Sequence, residues 1–150
     1  MEIRAARKEE IEPLTSLFIR ARNEMEYLPR VPDGAAVPIA ARIAEHDEVW
    51  VAEEDGRLLG FLGIEHSTNL GAPVLEKLYV EPAEQNRGVG SALLEKAKEL
   101  RPDELYLWVF QKNRARRLYE RGGFELVKLT DGAENMEREP DALYRWKGSM

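Results

Sequence analysis

The run Gln85-Asn86-Arg87-Gly88-Val89-Gly90 carries the clearest chemical signal in this sequence. Its two glycines stand at the mouth of a predicted helix, in which Val89, Leu93, Leu94, Ala97 and Leu100 recur at helical spacing. Glycine lets the backbone approach a ligand closely. The first amides of a helix have no partner inside it and point outward with the positive end of its dipole. Such a mouth suits an anion, most often a phosphate, and Arg87 adds a positive charge beside it. A tight turn before a helix also takes glycine. The run is not a P-loop, because no Gly-Lys-Ser/Thr follows, and a Rossmann fingerprint would need a third glycine.

Composition narrows the function classes. A chain of 150 residues suits one domain, 1–150, long enough to bury a core. A net charge of −6 argues against a general nucleic-acid binder. With no cysteine there are no disulfides, thiolate nucleophiles or cysteine metal sites. His46-Asp47-Glu48 reads as a helix-to-strand turn, so no metal is expected. The N-terminus does not read as a signal peptide and no apolar run approaches membrane-spanning length, so a cytoplasmic protein away from membranes is expected.

These residues need elements to hold them. Residues 1–7 alternate as a short strand, and residues 8–25 carry a helical stripe of Ile11, Leu14, Leu17, Phe18, Ala21 and Met25. A Pro- and Gly-punctuated loop over 27–38 precedes a short helix over 39–45. Strands over 48–53 and 58–66 flank an Asp55-Gly56 hairpin turn. A strand with Leu75, Leu78, Tyr79 and Val80 ends at Pro82, which lacks a ladder donor. After the helix, Arg101-Pro102 is a stop. Residues 104–110 are apolar on both faces and read as a strand buried on both sides. Asn113 reads as the N-cap of a helix ending at Gly122-Gly123. Strands over 124–129 and 142–146 close the series around a polar loop. The order β-α-α-β-β-β-α-β-α-β-β predicts an α/β (α+β) fold, a mixed and mostly antiparallel sheet with helices on both faces.

Gln85-Asn86-Arg87-Gly88-Val89-Gly90 resembles the pyrophosphate-binding motif of the GNAT N-acetyltransferases, Gln/Arg-x-x-Gly-x-Gly/Ala. The preceding Leu-Tyr-Val-Glu-Pro and the segment Asn113 to Phe124, with Ala115, Tyr119 and Gly123, are also similar to that family. The resemblance covers residues 48–130. It implies about seven strands, splayed between the fourth and fifth to admit the pantetheine arm of acetyl-CoA. It places pantetheine amides on the backbone of Leu78, Tyr79 and Val80, and pyrophosphate on the amides of Arg87 to Ser91. It implies transfer of an acetyl group to a primary amine by direct attack on the thioester. The alternative on the same fold is a non-catalytic acyl-CoA-binding or sensor module.

An alkyl ammonium titrates near 10.4, so a base must take a proton before attack. Glu76 is the candidate base. Strand alternation places it on the face of Val74, Leu78 and Val80, where burial would raise its pKa; it also reads as a strand-end charge in an ion pair. His66 is a second candidate, or an exposed histidine. Tyr119, at the family's tyrosine position, is the candidate acid for the departing thiolate, or a half-buried helix aromatic. Asn113 could bond the cofactor as well as cap. The loops over 27–37 and 130–141 are expected on the acceptor side, with Glu24, Glu26, Asp131 and Glu134 attracting a cationic small molecule or peptide amine. A homodimer through exposed strands or the tail is the expected assembly.

Overall fold

The computed structural model describes residues 1–148. Seven strands form one sheet: β1 (Glu2–Ala5), β2 (Glu48–Glu54), β3 (Arg57–Ser67), β4 (Ala72–Val80), β5 (Leu105–Phe110), β6 (Glu125–Leu129) and β7 (Asp141–Trp146). Their spatial order is β1-β2-β3-β4-β5-β7-β6. All neighbours are antiparallel except β4 and β5, which run parallel. The helices are α1 (Ile11–Asn23), α2 (Ala36–Ala44), α3 (Val89–Leu100) and α4 (Arg116–Arg121). The element order is the one the periodicities predict.

The helices split between the two faces because their apolar stripes meet different sides of the pleat. On one face, Leu14, Leu17 and Phe18 of α1 and Ile43 of α2 bury against Val51 and Phe61. On the other, Leu93, Leu94 and Ala97 of α3 and Tyr119 of α4 bury against Leu62, Ile64, Leu75, Leu107 and Tyr144. Strand β6 is an exposed edge, and β7 lies between it and β5.

Strand β5 departs from the expectation of burial on both sides. Leu105, Leu107 and Val109 are buried in the α3 core, but Trp108 is 42% exposed and Tyr106 and Phe110 are half-buried. Aromatic side chains occur in the walls of a ligand cavity as well as in a dry core, and alternation alone does not separate the two.

Candidate active site

Strands β4 and β5 are partners at one position only, Val74 opposite Tyr106. Beyond it they part. The Glu81 amide donates to the Leu59 carbonyl at 2.8 Å, so Leu59–Glu81 is a hydrogen-bonded pair of the β3–β4 ladder. Antiparallel pairs alternate. Phe61–Tyr79 therefore bonds across to β3, whereas Leu62–Leu78 and Gly60–Val80 do not. The backbone groups of Leu78 and Val80 thus face the gap. Tyr79 is corrected: β3 takes its backbone, and its ring packs edge-on to Phe18, 4.7 Å between centroids.

The open end of the gap adjoins the mouth of α3. Gly88 sits before the helix at φ +83°, a left-handed conformation that favours glycine. The first backbone bond of the helix runs from Ala92 N–H to the Gly88 carbonyl, 3.1 Å. The amides of Val89, Gly90 and Ser91 therefore have no partner within α3, and no side chain caps them. Val89 anchors this turn in the core, while Gln85, Asn86 and Ser91 are exposed. The Arg87 guanidinium pairs with Glu84 and, at 2.9 Å, with Glu54. It braces the loop instead of standing free.

Tyr119 of α4 is buried beside Phe124, and burial pushes its phenol well above the usual range, with Tyr79 adding to the effect. A phenol held protonated is a donor, never a base, at neutral pH. The Asn113 side chain accepts the Ala115 amide at 2.9 Å. It caps the turn before α4, which starts at Arg116, and is not the helix N-cap itself.

On the α1–α2 side of the gap lies a cavity of about 820 Å³. Phe18 and Arg22 of α1, Arg42 of α2, Lys77 and Tyr79 of β4, Trp108 and Phe110 of β5, and residues of the loop after β6 line it. That loop is tied down. Arg22 pairs with Glu137 at 2.6 Å, Gln111 Nε2 donates to the carbonyls of Thr130 and Asp141, and Asn135 Nδ2 donates to Asp141 at 3.1 Å. Among the four expected acceptor-side carboxylates, Glu134 lines this cavity. Glu24 lies at a separate shallow hollow beside Glu81 and Pro82, and Glu26 and Asp131 line neither.

Glu76 also stands elsewhere than simple alternation puts it. Gly63 is opposite Lys77 and Ile64 opposite Leu75, so Glu76 is the extra residue of a β-bulge. The bulge leaves Leu78 and Val80 on the α3 face and turns both Glu76 and Lys77 to the cavity side. Glu76 is exposed there, with Arg42 at 4.0 Å. The expected burial of its carboxyl does not occur.

Deeper in the wall, His46 is enclosed, with its side chain 0% exposed. Its Nδ1 is 2.8 Å from Glu65 and its Nε2 3.0 Å from Lys77 Nζ. Burial holds the imidazole below its usual range. Arg42 grips both oxygens of Glu65, and with His46 holds that carboxyl at about 2. Burial, with Arg42 and Arg22, also lowers the Lys77 ammonium. His66, the expected second base, is exposed, and its amide donates to Asp47 at 2.9 Å. Lys77 on the cavity wall, with His46 and Glu65 behind it, is thus a cluster that sequence reading does not assemble: it takes His46 only as part of a turn. The available signal was Gly63 inside a strand, a mark of close approach. An added Cβ there would lie 2.5 Å from His46 Cδ2.

Among the described residues, no group of three or more His, Cys, Asp or Glu is arranged to hold a metal ion, and no helix is long and apolar enough to cross a membrane.

Residues 45–126 match the acetyltransferase (GNAT) domain family. The chain is 36% identical over 111 residues to the peptidyl-lysine N-acetyltransferase YiaC of Escherichia coli (strain K12), covering 73% of this chain and 66% of that protein. It is 31% identical over 137 residues to the uncharacterized N-acetyltransferase YhfO of Bacillus subtilis (strain 168), covering 83% and 90%. The fold matches that of the PaiA N-acetyltransferase from Thermoplasma acidophilum, solved in complex with coenzyme A, with a TM-score of 0.74, 19% identity and coverage of 97% and 98%. The parted strands, the uncapped α3 mouth and the match over 45–126 agree, and the chain belongs to the GNAT acetyltransferase family.

Proposed function

We propose that this chain transfers an acetyl group from acetyl-CoA to a primary amine. One observation carries the reading: the free backbone of Leu78 and Val80 ends beside the unpaired amides of Val89, Gly90 and Ser91. A ligand with an amide-bearing arm and a pyrophosphate has chemistry for both, adding to a strand edge at one end and meeting helix amides at the other. The arm then carries the thioester into the gap, between Tyr119 and the cavity.

The amine enters from the cavity. Holding it against the thioester supplies much of the acceleration. Its nitrogen attacks the carbonyl carbon, the C–S bond breaks, and Tyr119 donates to the thiolate charge. Two groups stand on the cavity side to accept the ammonium proton, the exposed carboxylate of Glu76 and the half-buried amine of Lys77. Similarity to YiaC over 73% of the chain supports a lysine side chain in a peptide as the acceptor class.

The test is calorimetric titration with acetyl-CoA, followed by thiol release with lysine-containing peptides. Wild type should bind and turn over. Ser91→Asp places a carboxylate in the first turn of α3, where it favours the helix but repels a phosphate. It should fold normally and lose at least about tenfold in affinity, equivalent to about 1.4 kcal/mol. Well-folded wild type that does not bind acetyl-CoA would overturn the reading.

A further inference from the structure

Glu65 on β3, His46 in the turn between α2 and β2, and Lys77 on β4 form a line of contacts ending at the cavity. Glu65 Oε1 lies 2.8 Å from His46 Nδ1, and His46 Nε2 lies 3.0 Å from Lys77 Nζ. An ionised carboxylate only accepts, so Nδ1 carries the imidazole proton and Nε2 turns its lone pair to Lys77. The ring has no room to turn. It is fully enclosed, with Gly63 against its Cδ2 edge. Lys77 must therefore give one N–H to Nε2. A neutral amine that does so keeps its own lone pair for the cavity.

The groups around Lys77 balance its two protonation states. Burial and the guanidinium groups of Arg42 (α2) and Arg22 (α1) favour the neutral amine; Glu76 beside it and Glu65 on β3 favour the ammonium. The Phe18 ring, with its centroid 5.7 Å from Nζ, also favours the ammonium. A base needs both forms within reach. Glu76, exposed at the bulge, has no such enclosure.

We propose that Lys77 is the catalytic base of the transfer, with His46 and Glu65 as positioning residues that aim its lone pair. The proposal rests on the acetyl-transfer reading above. Neutral Lys77 takes a proton from the acceptor ammonium and becomes an ammonium itself. The freed amine forms the C–N bond as the C–S bond breaks, and the thiolate leaves with the electron pair. The new amide nitrogen sheds its second proton, and the thiolate gains one through Tyr119. Lys77 returns its proton to water through the cavity mouth, so the cycle releases one proton.

Three variants test this once wild type has been shown to bind acetyl-CoA and turn over an amine; failure there belongs to the acetyl-transfer reading alone. Lys77→Arg keeps the charge but does not deprotonate. It should bind acetyl-CoA as wild type does and lose about 10²-fold or more in kcat. Glu76→Gln removes a neighbour that favours the ammonium, so the acid limb of kcat/KM should move to lower pH. His46→Gln admits water to Lys77 and should move that limb to higher pH, whereas a purely structural His46 would lower Tm and leave the limb in place. Full kcat in Lys77→Arg would make Lys77 a fixed cation, suited to an acceptor carboxylate. Loss of turnover in Glu76→Gln would make Glu76 the base. Either result overturns the proposal.

Discussion

The two faces of β4 and β5 put the same strands to opposite uses. On the α3 face, Leu75, Leu78, Leu105 and Leu107 join an apolar core. On the α1–α2 face, Lys77, Tyr79, Trp108 and Phe110 line a cavity set with guanidinium and carboxylate groups, and the His46 imidazole lies behind Lys77. A side-chain period of two lets one strand serve both. The bulge at Glu76 adds a residue so that Glu76 and Lys77 both turn to the charged side while Leu75 and Leu78 stay in the core. Under the proposed function the α3 face carries stability and the cavity face carries chemistry, so substitutions one residue apart should separate the two properties.

The sharpest contrast is expected at adjacent residues of β5. Leu107→Ala empties a site 1% exposed and should cost about 2–5 kcal/mol by urea unfolding. An equal loss at Trp108→Ala would break the contrast. Gly63→Ala crowds His46 from the strand behind it and should cost about 1–3 kcal/mol. Its turnover should fall while its acetyl-CoA affinity stays, because α3 lies on the other face. Acid should act through the charged side. Glu65 titrates at about 2 in the folded protein against 4.5 ordinarily, so its stabilising contribution is whole above pH 4.5 and is lost as pH falls toward 2. His46, held neutral by burial, shifts stability in the same direction as it gains a proton. Glu65→Gln should flatten the acid side of the stability curve, whereas Leu107→Ala should lower the curve without changing its slope. The smallest effect is at Trp108→Ala, under about 1 kcal/mol in stability, with a measurable change in the KM of the amine.

Much of this was legible in the sequence. Periodicity yields the element order, and Gly88 with Gly90 locates the uncapped α3 amides. The charged wall was not legible, for physical reasons. Nothing in Val-Leu-Glu-Lys-Leu marks a bulge, because the extra residue is defined by its partner strand and not by its own type. Trp108 and Phe110 are apolar in composition, and their wet setting follows from the parting of β4 from β5. His46 and Lys77 are 31 positions apart, and only the packing of α2 against the sheet brings them together. Of the two histidines, His66 lay on the expected strand, yet His46 is the one enclosed behind Lys77.

The insertion of β7 between β5 and β6 has a consequence for how the molecule matures. A chain that has left the ribosome only through Leu129 already holds β4, β5 and the α3 mouth, but β6 has no strand to join. The loop that walls the cavity is also without its anchor, since Gln111 and Asn135 both bond to Asp141 at the start of β7. Domains fold as units once their parts are available. The sheet edge and the cavity wall therefore both wait on β7, and the fold closes as one unit only when that strand is present.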